Sequence, residues 1–198
     1  MKTGLWALLT LCVIGAGFLG VRYYQARAAA AAWDGPVAEI LSETLDKQDD
    51  TLRVEFTSRL DVPVAQVMRA LAEPERSQEL SDSVYRSELV RHRGNRKIVT
   101  FEMRVLGRPQ ESTLAFTFLP QENRVLLETV ENQLTELSGE YVLTPSPDGK
   151  KTLLTYRASA RNKTHMPIPL ALQKSAMREA FVLTLRGLKK GLSGQAES

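Results

Sequence analysis

Residues 152–192 have the sequence TLLTYRASARNKTHMPIPLALQKSAMREAFVLTLRGLKKGL, which changes from a strand pattern to a helix pattern. Its beginning alternates apolar and polar side chains, which is the pattern of a half-buried strand. Pro167 and Pro169 interrupt the alternation, and from Leu170 onward apolar residues recur with helical spacing. The stretch predicts a sheet that ends in one long C-terminal helix, an order that suggests a container for an apolar molecule.

Upstream, the chain reads as a series of strands joined by tight turns. The sequences Gly94-Asn95 and Pro147-Asp148-Gly149 are typical of such turns. Short connections between neighbouring strands indicate antiparallel pairing. We predict six strands in this part of the chain, at residues 84–92, 97–106, 111–119, 124–131, 134–144 and 152–161.

Further elements precede these strands. Residues 52–60 alternate strictly and predict a first strand, and helices are predicted at 63–71 and 74–80, each opened by a proline. Apolar residues with helical spacing predict a short amphipathic helix over 37–45. The predicted fold class is α+β, a curved antiparallel sheet of about seven strands wrapped around a long C-terminal helix.

The helix face that should meet the sheet carries small and polar side chains. Ala176, Ala180 and Gly187 are small, and Gln173 and Thr184 are polar. A helix packed directly on a sheet normally carries larger apolar side chains there. Two interpretations stay open: the helix backbone approaches the sheet closely, or helix and sheet enclose a cavity.

An apolar segment without charge lies near the N-terminus. Residues 4–21 would extend about 27 Å as a helix, close to the roughly 30 Å of a bilayer's hydrocarbon core. Arg22, Tyr23 and Tyr24 follow, residue types that settle at a membrane interface. We predict an uncleaved signal anchor, with a cleaved signal peptide or a lipoprotein signal at Cys12 as alternatives.

The predicted organisation has an anchor, a linker with the short helix, a sheet domain and a disordered tail, at residues 1–27, 28–50, 51–192 and 193–198. We expect a single-pass protein of a bacterial inner membrane. Lys2, ahead of the apolar segment, favours export of the domain, whereas Arg22 and Arg27 after it favour the cytoplasmic side. Of the two, we prefer the periplasmic side.

Charge is distributed unevenly along the chain. Residues 34–149 carry 13 basic and 21 acidic side chains, a net charge of −8. Residues 150–191 carry 10 basic side chains and one acid, Glu179, a net charge of +9. A solvated basic surface explains this pattern, and attraction of this C-terminal face to anionic lipid head groups is the alternative.

Few side chains suit catalysis or metal binding. His92 and His165 lack the spacing of metal ligands, and no phosphate-binding or dinucleotide-binding motif implies a cofactor. Glu128 could face inward by its alternation with Leu126, but we assign no catalytic residue. The basic segment 91–97 lacks the interleaved aromatics of a nucleic-acid site and is predicted to be a solvated turn.

Four segments resemble one protein superfamily. RVEFTSRLDVPVAQVMRAL resembles its first strand and helix, and VLGRPQESTLAFTFLPQENRVLLETVE its Gly-Arg-Pro hairpin and the strand pair after it. LSGEYVLTPSPDGKKTLLTYRASA is similar to its late hairpin, and IPLALQKSAMREAFVLTLRGLKK to its terminal helix. This superfamily is START-like, also called polyketide cyclase/dehydrase-like or SRPBCC.

The resemblance implies a helix-grip fold with a hydrophobic cavity between the sheet and the C-terminal helix. Its members bind lipids, sterols, quinones or polyketides, and some catalyse cyclisation or dehydration. Relatives often place an aromatic residue after the turn that corresponds to Pro74-Glu75-Arg76, at the cavity entrance. Ser77 follows that turn here, so the resemblance does not extend to an aromatic gate.

We therefore predict a membrane-anchored domain that binds a hydrophobic small molecule, such as a lipid or quinone. A cyclase or dehydratase-type enzyme and a ligand-free interaction module at the membrane are the alternatives. A sizeable cavity would argue against the module, and a buried carboxylate inside it would favour the enzyme. The predicted wall consists of Phe101, Phe116, Tyr141 and Tyr156 from the sheet, and Gln173, Met177, Ala180 and Thr184 from the helix.

Overall fold

Eight antiparallel strands form one sheet in the computed structural model of the chain, and a long helix crosses its inner face. The elements, in chain order, are β1 (Ser42–Gln48), β2 (Thr51–Leu60), α1 (Val64–Leu71), a 3-10 helix (Pro74–Arg76), α2 (Ser77–Leu80), β3 (Val84–Arg93), β4 (Arg96–Val105), β5 (Arg108–Leu119), a second 3-10 helix (Pro120–Glu122), β6 (Arg124–Asn132), β7 (Thr135–Pro145), β8 (Thr152–Asn162) and α3 (Leu170–Gly194). The strand order is β1-β2-β8-β7-β6-β5-β4-β3, so β1 and β3 are the edges.

The structure describes residues 32–34, 39–80, 84–105, 108–132, 135–163 and 169–194. The chain divides into two units, Met1–Val37 and Ala38–Ser198, and of the first only the helical residues 32–34 are described. The anchor predicted at 4–21 lies outside the described residues. Among the residues that are described, no helix is long and apolar enough to cross a membrane.

The alternation patterns identified most of the sheet correctly. All six strands predicted between residues 84 and 161 are present, as are the first strand and the helices predicted at 63–71 and 74–80, the latter as a 3-10 turn continued by α2. These strands bury alternate side chains on the inner face, as Val54 and Phe56 do on β2. The basic segment 91–97 forms the exposed turn between β3 and β4, apart from the half-buried Lys97.

The short helix predicted over 37–45 is wrong where the structure describes it. Ser42–Gln48 is a strand that pairs with β2 along its whole length, from Ser42 opposite Thr57 to Gln48 opposite Thr51. This strand is an edge strand, and most of its side chains are exposed. Few of them need to be apolar, so the alternation of apolar and polar residues is weak. The sheet therefore has eight strands rather than about seven, and it begins earlier than the predicted boundary at residue 51.

A polar network fixes α1 and the first 3-10 helix against the far edge of the sheet. The Lys97 ammonium on β4 donates to the Glu75 carboxylate at 2.6 Å and to the Ala72 carbonyl at 2.7 Å. The Ser87 hydroxyl on β3 donates to the Glu75 carbonyl at 2.6 Å. These contacts hold the connection between β2 and β3 over one end of the inner face.

Aromatic rings fix α3 to the middle of the sheet. Phe181 stacks on Phe56 of β2, with 5.0 Å between ring centroids, and on Tyr156 of β8 at 5.9 Å. Tyr156 in turn contacts Tyr141 of β7 at 5.0 Å. Aromatic pairs at such distances stabilise packing beyond the burial of their area. The helix is thus fixed over β2, β7 and β8, at one side of the inner face.

Gly139 on β7 permits an unusually close strand contact. A Cβ atom at this position would lie 2.5 Å from the Arg157 carbonyl oxygen and 2.9 Å from the Ala158 Cβ, both on β8. Only glycine fits such an approach of two backbones. The Gly139–Ala158 pair lies two residue pairs from the Tyr141–Tyr156 pair, so this close contact helps to set the spacing of the two tyrosines.

Candidate ligand-binding cavity

A cavity of about 830 Å³ lies between α3 and the inner face of the sheet. Its wall comes from β3 to β8, from α1, from the α1–α2 connection and from α3. Apolar side chains predominate, and exposed wall residues such as Glu73, Tyr85 and Ala180 show that it opens to solvent. The small residues on α3 allowed two interpretations, close packing of the helix on the sheet or an enclosed cavity. Ala176 and Ala180 both lie on the cavity wall and support the second.

Seven of the eight predicted wall residues line this cavity, namely Phe101, Phe116, Tyr141, Tyr156, Met177, Ala180 and Thr184. The eighth, Gln173, is half-buried in the first turn of α3 and is not part of the wall. Phe101 and Phe116 meet edge to face, with centroids 6.0 Å apart, on neighbouring strands. Their contact with a ligand remains a prediction.

Two buried phenols lie against the cavity. Burial raises the pKa of Tyr141 to about 12, and a hydrogen bond with the Thr184 side chain opposes that shift in part. Burial also raises the pKa of Tyr156 far above its usual range, and the neighbouring Tyr141 adds to the effect. Both phenols therefore stay protonated at neutral pH and can donate a hydrogen bond to an oxygen atom inside the cavity.

The carboxylate considered from the sequence faces away from the cavity. Glu128 forms an ion pair with Arg96 on the outer face, so the suggestion that it could face inward is wrong. Glu136 pairs with Arg161 at 2.5 Å, also at the surface. Among the described wall residues the carboxylates are Glu73 and Glu179, and both are exposed. The buried carboxylate that would favour an enzyme is thus absent from the described wall.

The sequence analysis missed a group of polar wall residues. They lie at one end of β5, β6 and β7, and they are Gln110, Ser112, Thr129, Asn132 and Thr135. The alternation of Gln110 and Ser112 with Leu114 and Phe116 along β5 was a usable signal for their shared face. His165 lies outside the described part of the chain. Within the described residues, no cluster of side chains suits a metal ion.

Comparison with known proteins agrees with this geometry. The family model described as polyketide cyclase/dehydrase and lipid transport matches residues 51–192. No curated protein matches the sequence.

Solved structures share the fold at low sequence identity. The Zhui aromatase/cyclase from Streptomyces sp. R1128 superposes with a TM-score of 0.67 at 14% identity, covering 74% of this chain and 96% of that one. A STAR-related lipid transfer protein from Xanthomonas axonopodis gives 0.58 at 17% identity, covering 76% and 98%. A START superfamily protein from Mycobacterium smegmatis gives 0.58 at 16%, covering 73% and 97%. At these identities the likeness establishes the fold alone.

Proposed function

Because this chain belongs to the polyketide cyclase/dehydrase and lipid transport family, a member of the START-like superfamily, we propose that it binds a hydrophobic small molecule between the sheet and α3. The observation that carries the proposal is the cavity itself. Its volume of about 830 Å³ is within the range of about 300–1,000 Å³ that is typical of small-molecule sites. A lipid, a quinone or a similar molecule would fit.

The wall chemistry supports an apolar ligand with at least one oxygen atom. Phe101, Phe116 and Leu127 offer apolar surface from three neighbouring strands, and Met177 adds an adaptable side chain from α3. The Tyr156 hydroxyl makes no hydrogen bond within the described residues. Because this hydroxyl lines the open cavity, a ligand oxygen would accept a hydrogen bond from it.

We favour binding over catalysis for a physical reason. Known neighbours include an aromatase/cyclase and a lipid transfer protein, so the fold alone is compatible with either. Cyclisation or dehydration needs an acid or base positioned inside the site. The described wall offers two phenols held far from ionisation and two exposed carboxylates, a composition better suited to holding a molecule than to transforming it.

Native mass spectrometry tests the proposal. A fragment of residues 34–198, purified from cells, should carry a molecule that is released on gentle activation. The Ala180→Trp variant should lack it, because an indole on the cavity wall occupies the space of the ligand. Ala171→Trp, the same change at an exposed position of α3 that is not on the wall, is the matched control. Identical, ligand-free spectra for all three proteins would contradict the proposal.

The second part of the proposal is a membrane anchor formed by residues 4–21. Its support is the uncharged sequence of spanning length, and the domain is proposed on the periplasmic side. We do not extend it to anionic lipid binding by the outer face of α3, because Arg178 pairs with Glu43 and Arg186 with Glu39, each at 2.8 Å.

Fractionation tests the anchor. The full chain should sediment with membranes and resist salt and carbonate, whereas residues 34–198 should be released as a folded domain. A reporter fused after Ser198 that is active only outside the cytoplasm should give a signal. Quantitative retention of the truncated protein in the membrane fraction would contradict a single anchor, and a reporter signal confined to the cytoplasm would contradict the orientation.

A further inference from the structure

The turn between β3 and β4 is fixed in place although its side chains are exposed. Every residue from Glu88 to Arg96 is exposed. The Asn95 side-chain amide donates to the Phe118 carbonyl at 3.0 Å, and the Phe118 N–H donates to the Asn95 carbonyl at 2.8 Å. Gly94 has the left-handed φ of 59° that so tight a turn requires. The end of β5 therefore holds the turn, and its exposed side chains are presented in a fixed arrangement.

Two cations of this turn have no acidic partner. Arg91 and Arg93 form no ion pair with any residue that the structure describes. Arg96, opposite Arg93 across the turn, pairs instead with Glu128 of β6. Glu88, the nearest acid along β3, pairs with a different arginine of that strand at 2.5 Å. The Arg91 and Arg93 guanidinium groups are therefore available to an anionic partner.

Exposed apolar side chains lie directly beside these cations. Leu89 is 40% exposed and Val90 59%, and both belong to an irregular part of β3, where the pairing with β4 shifts before Arg91. We call four residues the tip surface, namely Leu89, Val90, Arg91 and Arg93. None of the four belongs to the described cavity wall. A surface of this composition suits a membrane interface, where apolar side chains enter the lipid boundary and arginines remain at the phosphate groups.

Strand pairing places the tip surface at the end of the sheet where the chain enters the domain. Successive cross-strand partners on β1, β2, β8, β7, β6 and β5 are Ser42, Thr57, Thr155, Val142, Arg124 and Leu119. Leu119 follows Phe118, to which the β3–β4 turn is hydrogen-bonded, and Ser42 begins β1. Residues 22–38 join this end to the proposed anchor and span at most about 60 Å. The proposed anchor therefore tethers this end of the sheet, rather than the opposite end, to a bilayer.

We propose that the tip surface docks on an anionic lipid bilayer, with the Arg91 and Arg93 guanidinium groups on lipid phosphates and with Leu89 and Val90 in the interfacial layer. The inference rests on the proposed anchor, which would supply the bilayer, and it holds whatever molecule the cavity binds. A lipid surface is favoured over an acidic protein because the anchored chain enters at the same end of the sheet. Docking there would give the tethered domain one orientation on the membrane.

A fluorescent probe on the turn tests the inference in the full chain. His92→Cys, made together with Cys12→Ser, gives one thiol at the exposed turn for an environment-sensitive nitrobenzoxadiazole label. The labelled chain is placed in nanodiscs of phosphatidylcholine alone, or of phosphatidylcholine and phosphatidylglycerol in equal amounts. The anionic nanodiscs should shift the emission to the blue and allow quenching by spin-labelled lipid, and the uncharged ones should not. High salt should reverse both effects, because it screens exposed charges.

Matched variants decide whether the arginines carry the docking. Arg91→Gln combined with Arg93→Gln should lower the ratio of docked to free tip surface about thirtyfold, since each cation near an anionic surface contributes about a fivefold preference. Arg53→Gln combined with Arg161→Gln makes the same change in net charge at exposed positions near the opposite end of the sheet, and it should leave the ratio unchanged. Circular dichroism checks that each variant remains folded.

The outcomes distinguish the tip surface from the anchor. A chain that enters the nanodiscs but gives the same emission with both lipid compositions would overturn the docking and leave the anchor in place. An equal loss in the Arg53→Gln/Arg161→Gln control would reduce the effect to net charge and overturn the site. A chain that fails to enter the nanodiscs would contradict the anchor. Added to vesicles of the same two compositions, that chain should still sediment preferentially with the anionic ones, and failure to do so would overturn the docking as well.

Discussion

The two halves of α3 use their inner faces differently. In the first half, Ala176 and Ala180 lie on the cavity wall and stay partly or largely exposed. In the second half, Leu185 is fully buried and Leu188 and Leu192 are nearly so. α3 also contacts α1 and α2, and in its second half the Lys190 ammonium donates to the Glu79 carbonyl of α2 at 3.1 Å.

Because its two halves differ, one helix both stabilises the domain and leaves room for a ligand. Leucine packing and the aromatic stack around Phe181 provide the stability, so the residues before Phe181 need not fill the core. A side chain removed from the second half should leave a void, whereas a side chain added to the first half should enter existing space. Four predictions test that contrast.

The largest effect is expected from Leu185→Ala. Leu185 is completely buried, so its truncation should cost about 2–5 kcal/mol of unfolding free energy through lost burial and the void left behind. Leu183→Ala is the matched change on the cavity wall and should cost less than about 1.5 kcal/mol, because no new void forms in a packed region. Urea denaturation measures both. Equal losses would show that the halves do not differ.

Alkaline pH tests the boundary between the halves, where Tyr141 contacts Thr184. The phenol loses its proton near pH 10 in the unfolded chain and near 12 in the folded one. Its stabilising contribution is thus complete below pH 10 and is lost as pH rises toward 12, by about 2–3 kcal/mol. Denaturation at pH 9 and 11 should reveal the fall, and Tyr141→Phe should reduce it. An identical fall in the variant would contradict burial of this phenol.

A smaller effect on stability is expected from Ala180→Trp. Its indole enters the cavity, so the unfolding free energy of the ligand-free fragment should change by less than about 1 kcal/mol, below the usual cost of overpacking. Leu185→Trp, the same residue placed in the packed half, should be strongly destabilising. Thermal unfolding compares the two. If both variants lose the same stability, α3 packs directly against the sheet along its whole length, and the cavity does not accept a ligand.

The smallest effect is expected from Tyr156→Phe. Because the Tyr156 hydroxyl has no hydrogen-bond partner within the described residues, its removal should change the unfolding free energy by less than about 0.5 kcal/mol. Retention of the copurified molecule should nevertheless weaken if that hydroxyl donates to it. Unfolding and native mass spectrometry on one preparation separate the effects. A loss of several kcal/mol would mean that the hydroxyl has a structural partner.

Much of this arrangement could be predicted from the sequence, because strands with one buried face alternate clearly. β5 and β8 are examples, and their inner-face residues Phe116 and Tyr156 border the cavity. The edge strand β1 was missed because its side chains are nearly all exposed and its identity depends on pairing with β2.

The polar part of the cavity was harder to predict for another reason. Alternation shows which residues share one face of a strand. Whether a polar residue on the inner face lines a cavity depends on the opposite wall, which the sequence does not show. Ser112 is such a residue, buried beside a cavity rather than exposed. Glu128 was misjudged because β6 keeps Leu127, and not Leu126, in the core.

Amide hydrogen exchange along α3 distinguishes a helix that covers a ligand cavity from one that packs directly on the sheet. The fragment of residues 34–198 is compared as purified and after treatment with a lipid-adsorbing resin. We predict that loss of the ligand accelerates exchange at residues 176–184, most of which line the cavity, and leaves residues 185–192 protected in both samples. Equal exchange along the whole helix in both samples, or acceleration confined to 185–192, would contradict the account.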